Sequence, residues 1–346
     1  MSSTEPTASD SPQLVVGLIG AGGISRVHAP AWKQLGAQVL VHSVAGAREL
    51  AAEFDLEVVE SFEEVLARAA VIDIVTPTAT HERIALAAIA AGRHVVCEKP
   101  LSLTAASSRA IHQAATEAGV QVFPAHVVRF TAPYEAAQTA VVRGRLGRVA
   151  VARFFREASS PAIGTWFQEV ALSGGVIMDL MLHDLDQARW ICGEVVSVYA
   201  VQNPPTVAGV IPPFVSAHVT LTHEGGAISH VHATWGATGT KFKTGFSIAG
   251  DEGTLTYSSL ENNGLTLELQ QGEAGDLTIP RTQLRESPYL TEIAEFAAAF
   301  RGGPAPRVSA EDGAIAVYLA EAAQRSLETG RVIVMSEFST NQEEVA

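Results

Sequence analysis

The chain has 346 residues, of which 47% are hydrophobic and 17% charged, and its formal net charge is −14. This length suggests two domains, and the composition suffices for a large buried core. The acidic balance argues against a nucleic-acid partner, because binding phosphate requires a basic surface. Cys97 and Cys192 lie in apolar runs without the spacing of a disulfide framework or a zinc site, which indicates a reducing, cytoplasmic location.

Neither end of the chain is expected to form part of the fold. Residues 1–12 have no basic start and no apolar stretch, so they predict a disordered tail rather than a secretory signal. Residues 336–346 predict a second flexible tail. No run of about 18 apolar residues is free of charge, so no membrane span is expected.

The first strong motif is a glycine turn between a predicted strand and a predicted helix. Residues 14–19 form an apolar, β-branched run that predicts a buried strand, and a helix follows to about residue 35. Glycines at such a turn let a pyrophosphate approach the backbone, and the helix N-terminus supplies N–H groups for it. Ser25 replaces the third glycine of the usual fingerprint. The predicted dinucleotide contacts are Gly20, Ala21, Gly22, Gly23 and Ile24.

The next strand, residues 38–42, bears on the choice of cofactor. In a dinucleotide fold its end normally carries an acid that binds the adenosine ribose, or a basic group that binds a 2′-phosphate. Ser43 stands about where the acid would be, and Arg48 follows a few residues on. The missing acid favours NADP(H) over NAD(H). The alternative is that Ser43 and Arg48 are ordinary loop and helix residues.

Strands continue to alternate with helices as far as residue 123, which predicts a doubly wound parallel sheet over residues 13–127. Ligands in such folds bind outside the carboxyl ends of the strands. Two further segments should therefore meet the glycine turn there. The residues predicted to contact the cofactor from these segments are Thr76, Pro77, Thr78, His81, Glu98 and Lys99.

Lys99 is also a candidate for the chemistry. It directly follows a buried strand, and Pro100 biases it away from helical backbone angles. A lysine held there can donate a hydrogen bond to a reacting oxygen and stabilise a developing alkoxide. The alternative is a solvated lysine paired with Glu98.

A second chemical motif lies at residues 174–184, where Gly174 and Gly175 precede an apolar helix-like run. Asp179 and His183 are four residues apart, so in a regular helix they would project from the same face. An acid beside an imidazole suits proton transfer, because a base must be held and its pKa adjusted by a neighbour. The alternative is a core helix with a satisfied histidine and a surface aspartate.

The second half of the chain predicts an α+β domain over residues 128–335. Short β-rich runs begin near residue 195 and continue to residue 269 with few helices between them, which indicates a largely antiparallel open sheet. Ser309 and Asp312 then predict the capped start of a long helix, residues 310–328, which could pack back on the first domain.

Four motifs together resemble the Gfo/Idh/MocA oxidoreductase family, which includes glucose–fructose oxidoreductase and inositol dehydrogenase. They are Gly-x-Gly-Gly-Ile-Ser after the first strand, Thr-Pro-Thr-x-x-His at 76–81, Glu-Lys-Pro at 98–100, and Gly-Gly-x-x-x-Asp-x-x-x-His-Asp at 174–184. The order and spacing of these motifs extend over residues 14–334. The resemblance implies a Rossmann domain followed by an α+β domain whose sheet forms a homodimer or homotetramer.

The resemblance also implies a reaction. An NAD(P)-dependent enzyme of this kind transfers a hydride between nicotinamide and a secondary alcohol or ketone of a sugar, sugar derivative or cyclitol. His183 would be the acid/base, Lys99 would stabilise the alkoxide, and Asp179 would orient His183 or bind a neighbouring hydroxyl. No metal is expected, since the histidines show no ligand spacing. Candidate substrate contacts are Arg156, Trp166, His232, Trp235 and Lys243.

Two other functions are compatible with the same fold. One is a non-catalytic NAD(P)-binding sensor, although such a protein has no need of Lys99, Asp179 and His183 together. The other is a glycosidase-like enzyme that recycles tightly bound NAD, which the missing acid after the second strand disfavours.

Overall fold

The structure is a computed structural model that describes residues 13–260, 265–269, 275–277 and 287–338. The tail predicted at residues 1–12 lies outside this range, as do residues 339–346 of the second predicted tail. The described residues form two sheets, one of six strands and one of nine. The predicted fold class, a Rossmann domain followed by an α+β domain, is confirmed.

The first sheet is parallel throughout and has the strand order β3-β2-β1-β4-β5-β6. This order reverses direction between β1 and β4, which is where doubly wound folds bind dinucleotides. Its strands are β1 (Val15–Ile19), β2 (Gln38–His42), β3 (Glu57–Val58), β4 (Val71–Ile74), β5 (His94–Glu98) and β6 (Val122–Ala125). The helices between them are α1 (Ser25–Gln34), α2 (Ala47–Phe54), α3 (Phe62–Arg68), α4 (His81–Ala90) and α5 (Ala105–Ala118).

The second sheet is mixed but mostly antiparallel, as predicted. Only β7 and β10 run parallel among its described neighbours. Its strands are β7 (Val149–Ser159), β8 (Val195–Asn203), β9 (Val215–His223), β10 (Ile228–Gly236), β11 (Lys243–Gly250), β12 (Gly253–Ser258), β13 (Leu265–Leu269), β14 (Gly275–Leu277) and β15 (Ile333–Val334). The accompanying helices are α6 (Ala132–Val142), α7 (Val170–Ser173), α8 (Leu182–Cys192), α9 (Pro288–Phe300) and α10 (Ala310–Thr329).

Capping hydrogen bonds mark the starts of α3 and α10, and the start of α10 was predicted. The Ser61 hydroxyl accepts the N–H of Glu64 at the start of α3. At the start of α10, Ser309 and Asp312 form a complete capping box, in which each side chain accepts the other's backbone N–H. Such caps satisfy N–H groups that the helix itself leaves unpaired.

The helices α9 and α10 return to the first sheet after the chain has built the second. Ile293 and Phe296 of α9 share a core with Trp32 of α1 and the strands of the first sheet. Helix α10 packs between α5 and β8. The sequence prediction assigned both helices to the second half of the chain but allowed residues 310–328 to pack back on the first domain, in agreement with the packing of α10 on α5. The packing of α9 on the first sheet was not predicted, because order along the chain does not indicate which sheet a helix covers.

No helix within the described residues is long and apolar enough to cross a membrane. The same part of the chain contains no group of three or more His, Cys, Asp or Glu side chains that could hold a metal ion.

Candidate active site

The glycine turn has the shape that a bound pyrophosphate requires. Gly20 has a φ of +113°, and a Cβ there would lie 2.7 Å from the carbonyl oxygen of Val75, so a side chain is excluded. Gly22 and Gly23 face open space. Helix α1 then begins without a side-chain cap and without an acid in its first turn. Within the described part of the chain, the N–H groups of Gly22 and Gly23 have no acceptor, so this turn fits an anionic ligand.

Ser25 replaces the third glycine without disturbing this turn. Its side chain is buried, and its hydroxyl donates to the carbonyl of Gly22 at 2.5 Å. The residue is therefore small enough for α1 to pack on the sheet, and its hydroxyl holds the turn closed.

The adenosine end of the predicted cofactor site is a cavity of about 230 Å³ between β2, α2 and β3. Ser43 and Arg48, which the sequence predicted to contact the cofactor, both line this cavity, and Arg48 is exposed. Two acids that the sequence reasoning did not consider, Glu49 and Glu60, line it too. The charges around this cavity are therefore mixed.

His81 connects two loops at the rim of the sheet. It is buried, and its ring nitrogens lie 2.9 Å from the carbonyl oxygen of Pro100 and 2.8 Å from that of Thr76. Burial lowers the pKa of His81, so the neutral ring donates its single N–H to one carbonyl at a time. In this structure His81 shapes the site by holding the Thr76 and Pro100 loops together.

Lys99 reaches from the first domain to the second. Its ammonium donates to the backbone carbonyl of Asp179 at 2.7 Å and to the Asp179 carboxylate at 3.1 Å. Both side chains are 16% exposed. The one hydrogen bond between Glu98 and Lys99 among the described residues is to the Lys99 backbone N–H, at 3.0 Å, and does not involve the ammonium. The alternative of a solvated lysine paired with Glu98 therefore does not hold.

Asp179 lies in a π-helical segment, Ile177–Met181, that leads directly into α8. The sequence predicted a regular helix with Asp179 and His183 on one face, and that prediction is correct only for the α-helical part. Wider π turns are frequently found at functional sites. No hydrogen bond joins Asp179 to His183 among the described residues, so Asp179 holds Lys99 instead of orienting the imidazole.

His183 opens α8 beside this pair and is partly exposed. Neither ring nitrogen has a hydrogen-bond partner in the described part of the chain, so the alternative of a satisfied core histidine fails. Burial lowers the pKa of His183 well below its usual value, and the nearby cations Lys99 and Arg156 lower it further. The imidazole is therefore neutral near pH 7 and available to accept a proton.

The predicted substrate contacts do not gather at one place. Arg156 is buried and forms a bidentate pair with Asp184, at 2.8 and 3.0 Å. In the ladder between β7 and β10, Arg156 pairs with Ala233, so His232 lies on the opposite face of the sheet. Trp235 is 3% exposed and packs in the core of the second domain.

The two remaining candidates differ in their surroundings. Trp166 is partly exposed and stacks on Phe167, with ring centroids 3.8 Å apart. The ammonium of Lys243 pairs with the Glu157 carboxylate at 2.8 Å, on the face of the sheet that also carries His232. Trp166 is thus the one predicted substrate contact that has an accessible surface and no polar partner among the described residues.

Sequence reasoning missed Tyr289, in the first turn of α9. Its ring lies 6.2 Å from that of His28. Burial raises the pKa of Tyr289 to about 12, and the nearby carboxylate of Glu98 contributes to the shift. No local motif marks this tyrosine, because its neighbours come from distant parts of the chain.

Comparison with known proteins identifies the family. Residues 14–126 match the sequence model of an oxidoreductase family with an NAD-binding Rossmann fold, and residues 134–256 match that of the GFO/IDH/MocA C-terminal domain. The 1,5-anhydro-D-fructose reductase of Ensifer adhaerens is 31% identical over 266 residues, which are 74% of this chain and 77% of the relative. The chain belongs to the Gfo/Idh/MocA oxidoreductase family.

Other members of the Gfo/Idh/MocA family match over nearly their whole length. The myo-inositol 2-dehydrogenase of Thermotoga maritima is 28% identical over 340 residues, covering 93% of this chain and 98% of the relative. GenD2 from gentamicin A biosynthesis, solved in complex with NAD, superposes with a TM-score of 0.80 at 26% identity, covering 96% of this chain and 99% of GenD2. The chain is therefore an oxidoreductase with an NAD-binding first domain.

Proposed function

We propose that this Gfo/Idh/MocA protein interconverts a secondary alcohol and a ketone on a sugar, sugar derivative or cyclitol, with NAD(P) as the hydride carrier. One observation supports this best. The Lys99 ammonium, fixed by two contacts to Asp179, lies close enough to His183 to lower the pKa of that unpartnered imidazole. A fixed cation beside a free neutral base suits an oxygen that must lose or gain a proton.

The cofactor would bind along the rim of the first sheet. The N–H groups at the glycine turn would hold the pyrophosphate, and the loops at Thr76 and Lys99 would border the nicotinamide end. When bound, the nicotinamide supplies the hydride acceptor or donor for the carbon that bears the reacting oxygen.

Lys99 would stabilise the negative charge on the substrate oxygen. An ammonium has three N–H donors, and Asp179 takes two of them. Within the described residues the third has no acceptor. That N–H is available to a substrate oxygen, and because Lys99 is already held it needs little reorganisation when charge develops.

His183 would accept the hydroxyl proton during oxidation and return it during reduction. A base whose pKa lies below the working pH remains deprotonated and ready to accept a proton, whereas a protonated imidazole could not accept one. Asp184 and Arg156 lie behind His183 as a buried ion pair, so they would hold the helix and the local charge in place.

The proposed substrate class rests on the relatives. The curated relatives act on inositol and on an anhydro sugar, and a polyol of this kind offers a hydroxyl to Lys99 and His183. Trp166, whose ring surface is accessible, is the proposed stacking surface for the substrate ring.

We also propose that the adenosine cavity accepts both NAD(H) and NADP(H), with Arg48 favouring the latter. Ser43 removes the acid that would repel a 2′-phosphate, whereas Glu49 and Glu60 oppose it. If so, Arg48→Ala lowers NADPH affinity about tenfold and leaves NADH affinity within about twofold. An equal effect on both nucleotides would refute a role of Arg48 in phosphate binding.

The open face of the second sheet is the proposed homo-oligomer interface. Tyr199 and Val201 of β8 project from this face and are 39% and 47% exposed. We expect Val201→Lys to dissociate the oligomer in sedimentation experiments, whereas Val44→Lys, at another exposed position, should not. A parent chain that sediments as a monomer would contradict this proposal.

The function is tested by nucleotide titration followed by a turnover screen. NADH and NADPH are titrated by fluorescence, and a panel of inositols, aldoses, anhydro sugars and ketoses is then assayed in both directions. We expect nucleotide binding and turnover of at least one polyol. Absence of nucleotide binding would refute the proposal, and binding without turnover on the whole panel would favour a sensor.

A further inference from the structure

A buried cluster of ionisable side chains lies next to the backbone of Lys99, inside the first domain. It is formed by His28 of α1, Asp73 of β4, Glu98 at the end of β5 and Glu292 of α9. All four are buried in the layer where α1 and α9 cover the sheet. Burying charge is costly unless it is paired, so the contacts of these groups need an explanation.

His28 bridges two carboxylates. Its Nδ1 lies 2.9 Å from a carboxylate oxygen of Asp73 and its Nε2 lies 3.1 Å from one of Glu98, and ionised carboxylates can only accept a hydrogen bond. A ring that donates from both nitrogens is an imidazolium. Burial opposes this charge, but Asp73 and Glu98 outweigh burial and raise the pKa of His28 well above its usual value.

The bridge continues to the backbone of Lys99. One oxygen of Glu98 accepts from His28, and the other accepts the Lys99 N–H at 3.0 Å. The opposite carboxylate is fixed too, since the Trp32 indole donates to Asp73 at 2.7 Å. The contacts therefore run without a break from the middle of β4 to the residue that reaches Asp179.

The other titratable groups that face the cluster leave its charge unchanged. Burial raises the pKa of the Cys97 thiol and lowers that of the His81 ring, so both are neutral, and two further groups come from α9. Neither oxygen of Glu292 has a hydrogen-bond partner among the described residues, and burial raises the pKa of this carboxyl well above its usual value, which favours the neutral form. Tyr289 is also neutral near pH 7. With an imidazolium and two carboxylates, the cluster has one net negative charge, which lies next to the Lys99 ammonium.

We propose that His28 is a positioning residue for Lys99, which fixes Glu98 between two hydrogen bonds and thereby fixes the backbone from which the Lys99 side chain reaches Asp179. Without a cation at position 28, Asp73 and Glu98 would face each other as two buried anions. Glu98 would then rotate away or take up a proton, and Lys99 would lose its support. The kinetic part of this inference rests on the proposed role of Lys99, whereas its structural part does not.

The first test is His28→Gln, which keeps a hydrogen-bond donor but removes the charge. We expect the Lys99 amide to exchange at least about tenfold faster by hydrogen-exchange mass spectrometry, because its acceptor is no longer held. In a preparation that turns over a polyol, kcat should fall about tenfold to a hundredfold, since small misplacements of a catalytic group are costly. The Kd for NADH should change less than about threefold.

The double variant His28→Gln/Asp73→Asn separates charge from packing. It removes one cation and one anion, so the cluster returns to a single negative charge, while the amide oxygen of the new asparagine still accepts from the Trp32 indole. We expect slower exchange at Lys99 and a higher kcat than in His28→Gln alone. A double variant that is equally or more impaired would show that His28 acts by packing and would overturn the proposal.

A matched control and a measurement on the parent protein complete the test. His223 is buried in the second domain and also has both ring nitrogens bonded, to Gly193 and Ser229, so His223→Gln should leave exchange at Lys99 unchanged. If His28→Gln does not fold, nitrogen NMR of histidine-labelled parent protein at about pH 8 decides, since both His28 ring nitrogens should be protonated.

The outcomes distinguish this inference from the proposed function. Exchange at Lys99 in His28→Gln within about twofold of the parent, or a neutral His28 ring in the parent, would overturn the inference whatever the enzyme turns over. If no polyol is turned over but exchange responds as expected, the proposed function fails and the positioning of Lys99 by His28 stands.

Discussion

Lys99 is one of the residues through which the two domains contact each other. Its backbone belongs to the rim of the first sheet, and its ammonium is bonded to Asp179 of the second domain. A lysine on a four-carbon stem normally has considerable rotamer freedom, and two hydrogen bonds remove much of it. The residue is therefore preorganised to bind an oxygen with its remaining N–H.

Lys99→Met should impair chemistry much more than cofactor binding. Methionine preserves the length of the side chain but cannot stabilise an alkoxide, and losing one preorganised donor typically costs about 10² to 10³ in kcat. Steady-state kinetics on a polyol found in the turnover screen measures this, with Lys33→Met on the surface as a control. A kcat within about threefold of the parent would contradict the assigned role.

The pH dependence of oxidation should reflect the lowered pKa of His183. Oxidation requires the neutral imidazole, and a lowered pKa keeps that form populated further into the acid range. We therefore expect kcat/KM for oxidation to remain constant from about pH 8 down to about pH 6.5 and to decrease only below about pH 6.5. Lys99→Met removes a cation that depresses this pKa, so its acidic limb should move to higher pH. An acidic limb above about pH 6.5 in the parent would refute the assignment.

At the scale of single elements, the sequence predicted the helix at residues 174–184 but not its geometry. The spacing of Asp179 and His183 fits a regular helix, and no propensity rule distinguishes a π turn from an α turn. Within the wide turn, the backbone carbonyl of Asp179 accepts from Lys99, which is 80 residues away in sequence. Tertiary contacts of this kind cannot be read from local periodicity.

For strand β10, the sequence likewise did not indicate which face packs against the core. The alternation of side chains along a strand has a period of two, so His232 and Trp235 were bound to lie on opposite faces. Which face meets the active-site helix depends on register with β7, where Ala233 pairs with Arg156. Local sequence predicted the strand, whereas the register decided that Trp235 faces the core.

The buried, unpaired carboxyl of Glu292 on α9 destabilises the folded protein, and a substitution can remove it. A buried polar group without a partner costs about 1–3 kcal/mol, so Glu292→Met should stabilise the protein by an amount in that range. The pKa of this carboxyl is raised in the folded state, so the cost appears as pH rises above the unfolded value. The gain in Tm should thus be larger at about pH 8 than at about pH 5.

The control for this change is Glu49→Met on the exposed surface of α2, which should shift Tm little at either pH. A loss of stability in Glu292→Met at both pH values would show that the carboxyl makes a favourable contact in the folded protein.

At the scale of the whole molecule, the buried Arg129 connects the segment that crosses between the domains to helices α8 and α10. Arg129 donates to Asp186 of α8 at 2.9 and 2.6 Å, and it also pairs with Asp312 of α10 at 3.2 Å. Arg129 lies in the short helical turn Val127–Phe130 just after β6, where the chain leaves the first sheet. Salt bridges of Arg129 thus connect the two domains at the place where the chain passes from one to the other.

Arg129→Met should destabilise the whole protein. Methionine leaves the Asp186 carboxylate buried without its main cation, and breaking a buried pair in this way costs about 3–5 kcal/mol. Urea denaturation followed by fluorescence measures this loss. Arg148→Met removes the exposed pair with Asp251 and should cost no more than about 1 kcal/mol. Equal losses in the two variants would contradict a structural role for the buried pair.

The measurement that tests the account most directly compares cofactor affinity and turnover in His183→Ala. The imidazole has no structural partner among the described residues, so its removal should leave the fold and the Kd for NADH within about twofold of the parent. The kcat for polyol oxidation should fall about 10² to 10⁴-fold, as expected for loss of a general base. A His183→Ala variant that keeps its turnover but loses NADH affinity would contradict the assignment of His183 as the acid/base.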